Sequence, residues 1–196
     1  MIVYSRDEDR DALKDLVARA EIYANQAIMK AGQVPPTLFM QTLNGPLMFT
    51  PTTFTSEESK EHFAATARLM CIAHGATATL FVAEGWTRFA KKGEPLDLSK
   101  MPSQCPDRQE TLMLMGEAWQ ATSQKLLPIM RSESGQFVGF GEAHSIEADA
   151  VKGRFAQFLP DKYPSLEEQH RAKEFLQRHV QEVKRERGEE RGMSRF

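Results

Sequence analysis

The sequence has little cysteine and no apolar run of membrane length. Cys71 and Cys105 are its two cysteines among 196 residues. They make neither a disulfide framework nor a metal-type pair, so a reducing, cytoplasmic setting is expected. The opening stretch, MIVYSRDEDRD, turns polar within six residues, so no secretory signal is expected there. The chain also lacks an excess of one charge: 25 basic residues stand against 27 acidic ones, a formal net charge of −2. That balance removes the whole-domain electrostatic grip expected of a nucleic-acid or anionic-membrane binder. No glycine-rich phosphate loop is present, since NGP and ESG read as turns. No Gly-x-Ser-x-Gly elbow and no His-Glu-x-x-His helix occurs. No repeat of solenoid period and no low-complexity linker interrupts the chain.

What is present is an ordinary globular balance, 41% apolar and 27% charged, on a chain long enough to bury a core without covalent staples. From about Asp7 to Ala31 the residues Leu13, Leu16, Val17, Ala20, Ala24, Ala27 and Ile28 form one helical stripe, ended by Gly32 and followed by Pro35 and Pro36. TLFMQTLNGPLMFT is two short apolar runs around Asn44-Gly45, a hairpin signal, with Pro46 limiting where the second run pairs. Thr55 and Glu58 have capping-box spacing before a second helix that carries Phe63, Ala67, Met70 and His74 and ends at Gly75.

TATLFVAEGW reads as a strand, and residues 88–109, with three prolines, as a long surface loop. ETLMLMGEAWQATS is a second strand, continuing bent through KLLPIMRS. SESG turns the chain into a third, QFVGFGEAHSIEA. VKGRFAQFL is ambiguous. Ser165 and Glu168 open a last helix over Phe175, Leu176, Val180 and Val183, and residues 184–196 form a charged, frayed tail. The expectation is a single-domain α+β protein over residues 1–183: an antiparallel sheet of about five strands with three flanking helices, in the order α-β-β-α-β-β-β-α. The same element order occurs in roadblock-like and profilin-like domains, a likeness of topology that carries no function.

Three strands repeat one pattern, a glutamate followed two places on by a ring: Glu84 and Trp86, Glu117 and Trp119, Glu142 and His144. Strand alternation puts each pair on the same face as the apolar residues before it. Small residues fill the other side, Ala83 and Gly85, Gly116 and Ala118, Gly141 and Ala143, inviting a helix or a second subunit to approach. Side by side, such carboxylates would hold Mg²⁺ or Mn²⁺, with His144 as a third ligand or proton carrier. Register decides. If SESG closes a tight hairpin, Arg131 faces about Gln136, and Glu142 falls opposite Lys125 or Leu126, far from Glu117. Three glutamates then converge only if residues 123–135 form a loop. Otherwise each Glu-x-ring is a wet strand end.

PDRQE, Pro106 to Glu110, followed by Glu117, resembles the restriction-nuclease pattern of Pro-Asp, a spacer and Glu-x-Lys. The matching residues are Asp107, Glu117 and Trp119, so the lysine that would help activate water is missing. Cys105 sits on the surface loop, Cys71 in a helix core, His74 at a helix end, and His170 and His179 on a solvated helix face.

Two functions follow. The favoured one is a non-catalytic macromolecule-binding or self-associating protein without a cofactor. It would contact a protein partner, or itself as a homo-oligomer, through Trp86, Trp119, Glu142 and His144. Methionine-rich strand ends suit such surfaces. The alternative is a small metal-dependent hydrolase or nuclease using Glu84, Asp107 and Glu117 with Mg²⁺ or Mn²⁺.

Overall fold

A computed structural model describes residues 5–52, 54–89, 99–146 and 154–178. Helix α1 (Arg6–Ala31) begins at a reciprocal cap: Glu8 donates its backbone N–H to the Ser5 hydroxyl, and Ser5 donates its own to the Glu8 carboxylate. It ends at Gly32, whose φ of 75° lets the chain turn left-handed and bond back to Ile28. Strands β1 (Thr37–Thr42) and β2 (Gly45–Phe49) form the expected hairpin. Gly45 has φ 108°, while Leu43 and Asn44 stay at negative φ, so the loop is not a primed two-residue turn.

Helix α2 (Glu57–His74) is capped by Ser56 with Ser59, one residue along from the expected Thr55 and Glu58. The serine hydroxyl at the third helical position replaces the glutamate of the usual box. Gly75 ends α2 at φ 57°. A Cβ there would lie 2.6 Å from the Tyr163 hydroxyl, so glycine is required twice over.

Then come β3 (Ala76–Thr87), a 3-10 turn (Pro102–Gln104), β4 (Gln109–Ala118), β5 (Thr122–Arg131), β6 (Phe137–Phe140) and β7 (His144–Ile146). A third helix, α3, spans 166–178 and is capped by Ser165 and Glu168 as expected. The fold is α+β, with an antiparallel sheet ordered β2-β1-β3-β4-β5-β6 and β7 also beside β5.

The sheet has seven strands where about five were expected. The supposed bent strand is two strands, reversed at Trp119 and Gln120, where the Ala118 N–H bonds the Ala121 carbonyl at 2.8 Å. No glycine, asparagine or proline marks that turn. The buried Asp9 of α1 holds it instead, accepting the Gln120 N–H at 2.6 Å. The supposed third strand is also two pieces. Arg131 pairs Phe137, close to the expected register, and Gly141 to Ala143 then leave the ladder. The frayed tail at 184–196 and the positions Val180 and Val183 lie outside the described residues, as do residues 90–98 of the loop at 88–109.

The two faces of the sheet differ. On one, α1 lays Leu13, Leu16, Ala20, Ala24 and Ile28 on Leu80, Val82, Leu112 and Leu114. Gly116 lets it come close: an added Cβ would sit 3.0 Å from both Leu13 and Leu80. On the other, α2 lays Phe63, Ala67 and Cys71 on Leu38, Met40 and Phe81. The remainder of that face is closed by residues 154–159, which are neither helix nor strand. Phe155 and Phe158 join Phe54, Phe63 and Phe81 there, the rings of Phe81 and Phe155 stacked 4.9 Å apart.

Candidate functional site

Register separates the three glutamates. Glu84 pairs Leu112, and Glu117 pairs Thr79, in the same β3–β4 ladder. The two carboxylates are therefore five residues apart along β4, or ~17 Å. An odd separation also puts them on opposite faces. Glu84 follows Leu80 and Val82 toward α1, while Glu117 follows Met113 and Met115 toward α2. Glu142 is exposed, two places before His144, which pairs Leu126 at the far side of β5. The expectation of clustered carboxylates fails here, and the reason is strand parity.

Glu84 and Glu117 are both half-buried, and each has a different task. Glu84 accepts the backbone N–H of Val34 at 2.6 Å, just after α1 ends. Burial holds its pKa above the ordinary carboxylate range. The Val34 amide opposes that rise, the charge of Glu110 adds to it, and Arg131 opposes it. Glu110 is itself engaged in a two-pronged pair with Arg131, at 2.6 and 2.7 Å, and Arg131 also donates to the Gly32 carbonyl at 3.2 Å. This end of the sheet is thus a charged lock on the α1 terminus.

Glu117 does the equivalent work on the other face. It accepts the Leu159 N–H at 2.6 Å and the Thr79 hydroxyl at 3.3 Å. The nearby amides of Phe158 and Gln157 also favour its charged form, though Leu159 makes the hydrogen bond. Gln157 has φ 57°, a left-handed turn within this segment. Burial still outweighs these hydrogen bonds, and the Glu117 pKa is raised.

The other expected site residues are spread out. Asp107 makes a two-pronged pair with Arg88, at 2.9 and 3.1 Å. Arg108 lies over the Trp86 ring, 4.5 Å from its centroid. Trp119 is half-buried and faces Tyr163, ring centroids 6.5 Å apart. His144 is exposed and meets the Phe89 ring in a tilted contact, centroids 4.6 Å apart. Cys105 was expected exposed and is 5% exposed, its thiol turned to the Met101 carbonyl. Cys71 is fully buried, and burial beside the Glu117 charge pushes its thiol far up, which makes it an inert core residue. His74 is lowered by burial and by Lys173.

Two residues that sequence reasoning missed complete the pattern, Asp9 and Arg68. Arg68 of α2 donates to the carbonyls of Arg154, Ala156 and Gln157 at 2.9, 3.2 and 3.2 Å. The buried Asp9, the half-buried Glu84 and Glu117, and the arginines Arg68 and Arg131 therefore satisfy the main chain of irregular connectors. Among the described residues, no three His, Cys, Asp or Glu side chains gather as a metal site would require. No helix among them is long and apolar enough to cross a membrane. An open groove of about 430 Å³ runs between α1 and the start of β5, lined by Arg10, Leu13, Lys14, Val17 and Ser123, and it contains none of the expected site residues.

Fold and site together define an α+β domain in which buried and half-buried charged side chains bind its own backbone. No protein-family model, no curated protein and no solved structure matches this chain.

Proposed function

We propose that this is a non-catalytic binding protein that associates with another protein or with a second copy of itself. The observation that carries this reading is the occupation of Glu84 and Glu117. Each spends its Oε1 on a connector amide, and the two lie on opposite faces of the sheet, which favours a structural role over shared acid–base or metal chemistry. Exposed apolar side chains add support. Leu43, Leu47 and Met48 flank the outer edge of the sheet at β2, and Met130 and Val138 lie near the opposite edge. The edge backbones are short or interrupted by Pro46, so contact would come through side chains rather than by adding a strand.

Light scattering over a rising concentration series tests this, with the unaltered chain and with Met48→Glu. The expected result is association that weakens in the variant. A parallel melt with Mg²⁺ or Mn²⁺ should leave the midpoint in place. A chain that stays monomeric, with a melt raised several degrees by one metal and restored by Glu117→Gln, would replace this reading with a metal-dependent hydrolase.

A further inference from the structure

Residues 154–159, RFAQFL, are held in an unusual manner. A strand or helix satisfies its own backbone, whereas here side chains of other elements do so. Arg68 takes three carbonyls, and Glu117 takes the Leu159 amide at the other end of the segment. Phe155 and Phe158, three residues apart, enter the ring cluster around Phe63 and Phe81. Arg154 pairs with Glu57 and Glu61, at 2.7 and 2.6 Å, on the exposed side of α2. A cation reading carbonyls, an anion reading an amide and an aromatic floor taking two anchors are the components of a peptide-binding groove.

We propose that residues 154–159 are a detachable strap, an intramolecular ligand seated in a groove between α2 and β4 that is built to take a short turned peptide, left-handed at its fourth residue, with two aromatic side chains three residues apart. Arg68 and Glu117 read the peptide backbone, and the Phe63–Phe81 cluster reads its rings. The strap keeps this apolar surface covered until a competing segment displaces it. Only the statement that a partner supplies the competitor rests on the binding reading above. Detachment of the strap does not.

The first arm measures native-state hydrogen exchange on the unaltered protein. A detachable strap exchanges at Gln157, Phe158 and Leu159 through a partial opening, at least about tenfold faster than Leu80 and Phe81 in β3. Glu117→Ala, which removes the acceptor, should accelerate the strap amides and leave those of β3 unchanged. The second arm uses the synthetic peptide RFAQFLP with blocked ends, a scrambled control, and the double variant Phe155→Ser/Phe158→Ser, which empties the anchors. The peptide should bind this variant saturably and the scrambled one should not. Adding Arg68→Ala should weaken binding by roughly tenfold or more. Strap amides that exchange only together with β3 would overturn the proposal, as would a folded double variant that ignores the peptide. Should the double variant fail to fold, the exchange arm decides alone, because it uses the natural chain. Association measured by light scattering needs neither result, so failure of the groove and failure of the binding reading are separable.

Discussion

The two faces of the sheet solve one problem in different ways. The first is covered by a helix of 26 residues, which bonds its own backbone and offers leucines and alanines to the strands. The second is covered by a shorter helix and an irregular strap, and it is filled with phenylalanine. A helix brings its backbone to the core already satisfied. An irregular segment does not, and an unmet buried amide or carbonyl costs about 1–3 kcal/mol. Arg68 and Glu117 remove that penalty on the strap face. The lesson is that charge inside this protein follows irregular backbone, and that is also why Glu84 sits where α1 gives way to β1.

The largest test of the contrast is Phe81→Ala, which removes the ring at the centre of the strap-side cluster. Its expected cost is about 3–5 kcal/mol in denaturant unfolding, with the strap loosened. On the helix side, Gly116→Val overfills the contact with Leu13 and Leu80 and should cost about 1–3 kcal/mol. Gly85→Ala meets only the mobile end of Met113, so its cost should be much smaller in the same assay.

Glu84→Ala and Glu117→Ala each strand a part-buried amide, at about 1 kcal/mol. Because they lie on opposite faces, the double variant should equal the sum of the singles within about 0.5 kcal/mol. A larger coupling would mean that the two share a site.

Smaller still is the pH term. Both carboxyls have folded pKa values above their unfolded ones, so each favours the fold when protonated. That contribution is full below the unfolded carboxylate pKa and is lost as pH rises through the raised folded value. Relative to Glu117→Gln, which cannot ionise, the natural chain should therefore lose stability between acid and neutral pH. A flat difference across that window would contradict the assignment. Asp11→Ala, which breaks an exposed pair with Lys14, should change stability by less than about 0.5 kcal/mol.

Local features were legible in the sequence. The α1 stripe, the two glycine stops, the β1–β2 hairpin and the Ser165–Glu168 cap all follow from residues within a turn or two of each other. The cap of α2 was misplaced by one position, since two serines can do what threonine and glutamate do. The Trp119–Gln120 reversal carries no turn residue and depends on Asp9, 111 positions earlier. Arg68 is in the same position, with carbonyl partners 86 to 89 residues away. Glu84 and Glu117 stood out as glutamates in apolar strands, but they are half-buried on backbone amides and not wet strand ends. Their task did not stand out, because spacing along one strand cannot distinguish an oxygen awaiting a metal from one awaiting a distant amide. The odd separation of their pairing points, which places them on opposite faces, is set by a register that the 88–109 loop leaves free.

The most direct test of the carboxylates as separate clamps is a crossed hydrogen-exchange measurement on Glu84→Ala and Glu117→Ala. Glu84→Ala should deprotect the Val34 amide and spare Leu159, and Glu117→Ala should deprotect Leu159 and spare Val34. If either variant exposes both amides while the strands stay protected, or exposes neither, the two glutamates are not independent backbone clamps.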